Sequence, residues 1–192
     1  FNLIHFSTDQ VYNPKKNIRN QEIKYFKPIN VYSKHKLMSE KICLKNKALV
    51  FRINILGKSH YKKDKFTDWI FDSFIKNDKI KGFSDSFYSP LCADTIAAII
   101  LKCIKNKYYL FNGVYNLGSN NGISKYKLIL LFSKKLNIYQ KKLLNKSKIN
   151  DFYKTQRTRY NRMNVTNFEK KFHIKLPTTI KEIINVTKSY DK

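Results

Sequence analysis

Three stretches of this 192-residue sequence decide the fold: Leu3-Ile4-His5-Phe6-Ser7-Thr8-Asp9, then Asn30-Val31-Tyr32-Ser33-Lys34-His35-Lys36-Leu37-Met38, then Ala48-Leu49-Val50-Phe51-Arg52-Ile53. Leu3 to Phe6 is a short apolar run with the turn-like Ser7-Thr8-Asp9 directly behind it. That order reads as a buried parallel strand ending in a polar loop. Asn30 to Asn46 carries Val31, Leu37, Met38 and Leu44 among charges, the pattern of a helix. Ala48 to Ile53 reads as a second buried strand. Strand, helix, strand implies a right-handed parallel crossover and an α/β fold.

Working outward, Asn13 to Pro28 is polar and irregular, and Ile55 to Lys65 reads as a loop. Phe66 to Lys76 reads as an amphipathic helix with Trp69, Ile70 and Phe74 inward. Ile80 to Phe83 suits a short strand, Cys92 to Asn106 a largely apolar helix, and Gly113 to Leu117 a strand closed by Gly118-Ser119-Asn120. Ser124 is placed to N-cap a helix to Leu136. Val165 to Phe172 reads as a short helix, and Pro177 as the start of a last one to about Ser189. There is no repeat, and the apolar pattern runs too evenly for an independent second domain.

Hydrophobic residues make up 42% of the chain and aromatics 15%, enough for a packed core and against wholesale disorder. The net charge is +26, but only five of the 39 basic residues are Arg, and the lysines are spread over every segment. Asn, Ile, Tyr and Phe are abundant too, which is what an AT-rich coding sequence writes. The reading is therefore a lysine-rich surface that draws in acidic ligands such as nucleotide phosphates, with no specific nucleic-acid site. Cys43, Cys92 and Cys103 form no CxxC pair and sit in apolar helical patterns, as small buried hydrophobes of a reducing cytoplasm. The apolar run Ile96 to Ile104 is broken by Lys102 and too short to span a bilayer, so no membrane partner is expected. No metal site is expected either. The sequence opens on Phe1, with Met38 and Met163 its only methionines, which reads as a strand already in progress and so as a fragment.

The chemistry sits in the deciding stretches. Tyr32 and Lys36 are four apart, one turn above each other on one helix face. An ammonium beside a phenol favours the phenolate, so such a tyrosine can give and take a proton near neutral pH. Thr8, at the end of the adjacent strand, can hold a substrate carbonyl against it, because ligands of open α/β sheets sit at the carboxyl ends of the strands. Isolated, Tyr-x-x-x-Lys is as well read as a solvated helix face. Preceded by strand-Ser-Thr-Asp and followed by another buried strand, it is far more specific.

Phe6-Ser7-Thr8-Asp9-Gln10-Val11-Tyr12 with Pro28-Ile29-Asn30-Val31-Tyr32-Ser33-Lys34-His35-Lys36-Leu37-Met38-Ser39-Glu40 resembles the dTDP-4-dehydrorhamnose reductase family, which carries S-T-D-x-V-F/Y and then N-P-x-N-x-Y-G-x-S-K-x-x-x-E. Ser33 stands where Gly is usual and His35 where Ser is usual. Phe51-Arg52-Ile53-Asn54-Ile55-Leu56-Gly57 is similar to R-T-x-x-x-Y/F-G, with Ile53 for Thr and no aromatic near Ile55. Asp85 to Ala97 is similar to D-x-x-F/Y-x-S/T-P-x-x-x-x-D-L-A, and Gly113 to Gly118 to G-V/I-Y-N/H-L-G/S. Arg157 to Asn164 resembles R-P-x-x-S-x-L-D with Thr158 for Pro, and Phe168 to Pro177 resembles L-E-x-x-x-G-I-x-L-P with His173 for Gly. The motifs are collinear and span essentially the whole chain.

The resemblance implies the C-terminal part of a Rossmann-like doubly wound parallel sheet plus a small α/β substrate-binding region. Residues 1–54 would end the NAD(P)-binding domain. Residues 55–192 would form mainly the sugar-nucleotide region, with some segments returning to the sheet. It implies an enzyme, an oxidoreductase using NADPH or NADH on a 4-keto-6-deoxy sugar linked to a nucleotide diphosphate, cytoplasmic and a candidate homodimer. Catalytic roles fall on Thr8, Tyr32 and Lys36, with Tyr32 as proton donor. Substrate contacts fall on Ser7, Asp9, Gln10, Asn54, Ser89 and Arg157, and cofactor contacts on Tyr32, Lys36 and Arg52. No G-x-x-G-x-x-G follows a strand anywhere, and the family places that fingerprint at its N-terminus, so cofactor binding by this stretch alone is expected to be poor. The alternatives are a sugar-nucleotide epimerase or dehydratase on the same scaffold, against which Asp9 lacks a following Glu, and a non-catalytic partner resembling the regulatory subunit of methionine adenosyltransferase.

Overall fold

The chain runs β1 (Ile4–Thr8), α1 (Val31–Lys45), β2 (Leu49–Ile53), β3 (Ile55–Leu56), α2 (Phe66–Ile75), β4 (Ile80–Phe83), β5 (Phe87–Tyr88) and β6 (Leu91–Cys92). It continues through α3 (Ala93–Lys105), β7 (Gly113–Leu117), β8 (Ile123–Ser124), α4 (Lys125–Lys135), β9 (Leu144–Ser147), β10 (Tyr160–Asn161), α5 (Thr166–Phe172) and α6 (Thr179–Thr187). This computed structural model describes residues 2–13, 19–22, 26–59, 65–151 and 158–190.

β1, β2 and β7 form a parallel sheet in that order, with Thr8 beside Ile53 and Ile53 beside Leu117. This is the expected α/β crossover, with α1 between β1 and β2. β1 extends to Thr8, two residues past the apolar run, because Arg52 and Ile53 continue the ladder alongside it. The polar turn starts only at Asp9, as one turn of 3-10 helix to Val11. α1 begins with a reciprocal cap: Ser33 N donates to Asn30 Oδ1 at 2.8 Å and Asn30 N to Ser33 Oγ at 3.3 Å. The serine that stands where the family prefers glycine therefore closes the helix start.

A second group of short strands lies outside this sheet. β5 lies between β10, which is parallel to it, and β8, which is antiparallel. β3 pairs with β6, and β4 with β9. The first of these corrects the reading of Ile55 to Lys65 as a loop from its start. Two-residue strands carry too few alternations for periodicity to reveal them, and only pairing makes them visible. Pro177 lies before the last helix, whose cap is Thr178. Gly118, closing the β7 motif, permits a close approach: a Cβ there would stand 2.7 Å from the Ser89 carbonyl oxygen.

Two apolar cores follow. One gathers Leu49, Phe51, Leu91, Leu117, Phe168 and Phe172 around the parallel sheet, with Phe168 stacked on Phe172 at 4.6 Å. The other gathers Ile70, Phe74, Ile80, Leu128, Phe132 and Ile183 from α2, β4, α4 and α6. Ile70 and Phe74 are inward as expected, but Trp69 is 44% exposed. It stacks on Phe66 at the surface instead. Cys92 and Cys103 are buried, while Cys43 is only half-buried.

Candidate functional site

The loop after β1, the end of β2, the N-terminus of α1 and the β10–β5–β8 sheet meet at a cavity of about 100 Å³. Gln10, Asn30, Asn54, Tyr88, Lys125, Thr158 and Asn161 are among its lining residues. It sits at the carboxyl ends of β1 and β2, where parallel sheets place their ligands.

Asp9 anchors the cavity wall. Its carboxylate is buried and accepts from Asn54 Nδ2 at 2.6 Å and from Thr8 Oγ1 at 3.3 Å. Burial raises its pKa from 3.8 to about 6, opposed by the Asn54 hydrogen bond and by the Lys125 charge. Burial, and then the Asp9 charge, also push the Tyr88 phenol well above its ordinary value. Thr8 Oγ1 accepts from Gln10 N at 3.2 Å, which fixes the hydroxyl at the strand end. Tyr32 stands in the first turn of α1 and is 51% exposed. One turn on, Lys36 Nζ donates to the Phe6 carbonyl at 2.9 Å and ties α1 to β1. The Thr8, Asp9, Gln10 and Asn54 of the sequence reading are thus brought together, with Tyr32 two residues from the cavity-lining Asn30.

Three expected site residues, Ser7, Arg52 and Ser89, are absent from the lining of this cavity and bonded elsewhere. Ser7 is buried and donates to Glu40 Oε1. Its neighbour Thr8 points the other way, since successive strand residues alternate faces. Arg52, expected at the cofactor, is 2% exposed. Its Nε and Nη2 bind both oxygens of Glu40 at 2.9 and 2.5 Å, and Nη1 donates to Tyr12 Oη and the Glu22 carbonyl, both at 2.8 Å. Four of its five N–H groups are engaged in that buried fork. Ser89 is fully buried, with its Oγ accepting from Met163 N at 3.2 Å. The cavity is lined by the residue before it, Tyr88. Arg157 lies outside the described residues.

The sequence reading missed Tyr88, Lys125 and Asn161. Tyr88 and Asn161 lay inside motifs that were matched, but nothing in a two-residue strand says which of its side chains faces inward. It also missed the Arg52 network's outer members. Tyr12 Oη donates to Asn116 Oδ1 at 2.8 Å, and Asn116 Nδ2 donates to the carbonyls of Asn20 and Asn164. This stitches the segment around residues 19–22 onto the sheet.

Beside the cavity lies a groove of about 350 Å³ lined by Lys65, Phe66, Trp69, Lys81, Phe83 and Lys125. The Lys125 ammonium, which also lines the cavity, lies 5.8 Å from the Phe66 ring centre and 5.9 Å from that of Tyr88. Among the described residues there is no cluster of His, Cys, Asp or Glu suited to a metal ion, and no helix long and apolar enough to cross a membrane.

The fold is shared with sugar-nucleotide enzymes. A dTDP-4-dehydrorhamnose reductase from Clostridium acetobutylicum superposes with a TM-score of 0.86 at 17% identity, over 98% of this chain and 66% of that one. The Bacillus anthracis reductase, solved with NADP, gives 0.86 at 17% over 97% and 65%. The dTDP-glucose 4,6-dehydratase of Bacillus anthracis, solved with NAD, gives 0.79 at 19% over 98% and 61%. The chain thus spans just under two thirds of the length of these proteins. No curated protein matches its sequence. The family profile of the RmlD substrate binding domain matches residues 1–191, and the chain belongs to that family.

Proposed function

We propose that this chain is the substrate-side portion of an NAD(P)H-dependent reductase acting on a nucleotide-linked 4-keto-6-deoxy sugar. The observation that carries the reading is the cavity itself. It opens where Thr8, the Asp9–Asn54 pair and the N-terminus of the Tyr32 helix converge at the carboxyl ends of parallel strands. The adjoining groove suits the rest of such a substrate, with Phe66 and Trp69 to stack a base and Lys65, Lys81 and Lys125 to attract phosphates. The matched reductases carry dTDP-4-dehydrorhamnose in their names, and one was solved with NADP.

Tyr32 and Lys36 suit the nicotinamide end of such a cofactor: the phenol is half-exposed, and Lys36 stands one turn behind it. The glycine-rich turn that would cradle its phosphates has no counterpart in these 192 residues. When bound, the cofactor supplies the hydride. Thr8, its oxygen fixed by Gln10 N, orients the keto oxygen. Tyr32 gives that oxygen a proton. Lys36 keeps α1 against β1 through the Phe6 carbonyl, which holds Tyr32 in place. The test is Tyr32→Phe in the full-length protein, followed by oxidation of NADPH with dTDP-4-keto-6-deoxyhexose. Turnover should fall by at least about 100-fold, the usual contribution of general acid catalysis. Undiminished turnover overturns the assignment.

A further inference from the structure

Three buried side-chain polar atoms have no hydrogen-bond partner among the described residues: Asn20 Oδ1, Tyr88 Oη and Asn161 Oδ1. Two of the three belong to residues that line the same cavity. Tyr88 is 6% exposed and Asn161 7%, so neither is satisfied by bulk water. They are also lateral neighbours. β10 pairs with β5 in the register Asn161–Tyr88, which puts both side chains on one face of the small sheet, roughly 5 Å apart in the pairing direction. A buried polar group left unsatisfied keeps the full cost of its lost hydration. A pair of them side by side, walling a cavity beside a buried carboxylate, is an arrangement that a ligand completes.

The chemistry of the two atoms narrows the ligand. Asn161 Nδ2 already donates to Thr158 Oγ1 at 2.8 Å. Its Oδ1 can only accept, so the group it meets must bring a hydrogen. A phosphate oxygen brings none; a hydroxyl does, and so does the N–H of a base, which only the size of the cavity excludes. Tyr88 Oη can donate to the oxygen of that same hydroxyl or of its neighbour. Thr158 supplies the hydroxyl that Asn161 Nδ2 meets here, where the proline usual at that place in the family has none. The size agrees: about 100 Å³ takes the hydroxyl-bearing edge of a sugar ring, not a nucleotide.

We infer that Tyr88 and Asn161 form the hydroxyl-reading wall of the substrate cavity and contact the sugar ring of a nucleoside-diphosphate sugar, not its phosphates or base. The inference rests on the functional reading above, and the test separates the two. Full-length wild type, Tyr88→Phe and Asn161→Ala are titrated calorimetrically with dTDP-rhamnose and, separately, with dTDP. Each variant should bind dTDP-rhamnose about tenfold more weakly, the worth of one hydrogen bond. Affinity for dTDP should stay within about twofold of wild type, since dTDP has no sugar ring beyond its phosphates. Equal losses for both ligands would move the phosphates into the cavity and overturn the inference. Unchanged affinity for both would leave ordered water as its only occupant and overturn it too. A wild type that binds neither nucleotide refutes the functional reading, and with it the ligand named here. Tyr88→Phe removes a single oxygen that has no partner in the free protein, so its melting temperature should not fall. It carries the test alone if Asn161→Ala does not fold.

Discussion

Two polar clusters of this protein start from neighbouring positions, Arg52 beside Asn54 and Tyr12 beside Asp9, and are built on opposite terms. Around Arg52 the accounting is nearly complete: Glu40, Tyr12 and the Glu22 carbonyl engage four of its five N–H groups, Tyr12 is held in turn by Asn116, Asn116 N and Asn167 Nδ2 occupy both oxygens of Glu22, and Asn20 Oδ1 at the network's edge is its one buried atom without a partner among the described residues. Around Asp9 it is incomplete: a buried carboxylate has its pKa raised, and Tyr88 and Asn161 beside it lack partners. Both clusters contain charged and aromatic residues in matched motifs, so residue type does not tell them apart. Saturation does. A buried network with its hydrogen bonds filled holds a fold together; one with open valences beside a cavity is where the inference above places a ligand.

The largest effect should come from breaking the saturated side. Glu40→Ala leaves the Arg52 guanidinium buried without its carboxylate, a loss of about 3–5 kcal/mol in urea unfolding. Replacing both partners by apolar residues, Glu40→Leu with Arg52→Met, should cost less than the single change. If it costs more, the network is worth more than the mere avoidance of an orphaned charge.

The open side should respond in the reverse direction. Asp9 keeps its proton to about pH 6 in the folded chain, against 3.8 as its ordinary value. Between these values the unfolded state binds fewer protons, so stability falls as pH rises and stays lower above pH 6. Asp9→Asn removes that penalty. At 1.36 kcal/mol per pH unit it should stabilise by up to about 3 kcal/mol at pH 7.5 and by much less near pH 4. A variant curve parallel to wild type across this range would show that Asp9 carries no such strain.

The smallest change calibrates the scale away from both clusters. His173 ends α5 in the left-handed region at φ 51°, where the family usually has glycine. His173→Gly should raise stability by about 1 kcal/mol, read as a small rise in melting temperature.

Several features were legible in the residues alone. The apolar runs around Phe6 and Phe51, the capped helix between them and the Tyr32–Lys36 spacing define the crossover and the end of the sheet that carries the site, because periodicity and capping are local properties. Thr8 could be named for the same reason, as a strand-end residue, while Asp9 and Asn54 follow from the family resemblance. What only the tertiary structure decided is which side chains face one another. Ser7 and Thr8 are adjacent, yet one binds Glu40 beneath α1 and the other fixes the turn at the cavity. Tyr88 faces the cavity while Ser89 is spent on Met163. Trp69 sits at the rim of a groove although its helix pattern placed it in the core. Such choices depend on strands of two residues and on hydrogen bonds between residues more than a hundred positions apart, such as that from Tyr12 to Asn116. No local pattern encodes them, because the free energy that selects them exists only once both partners are buried.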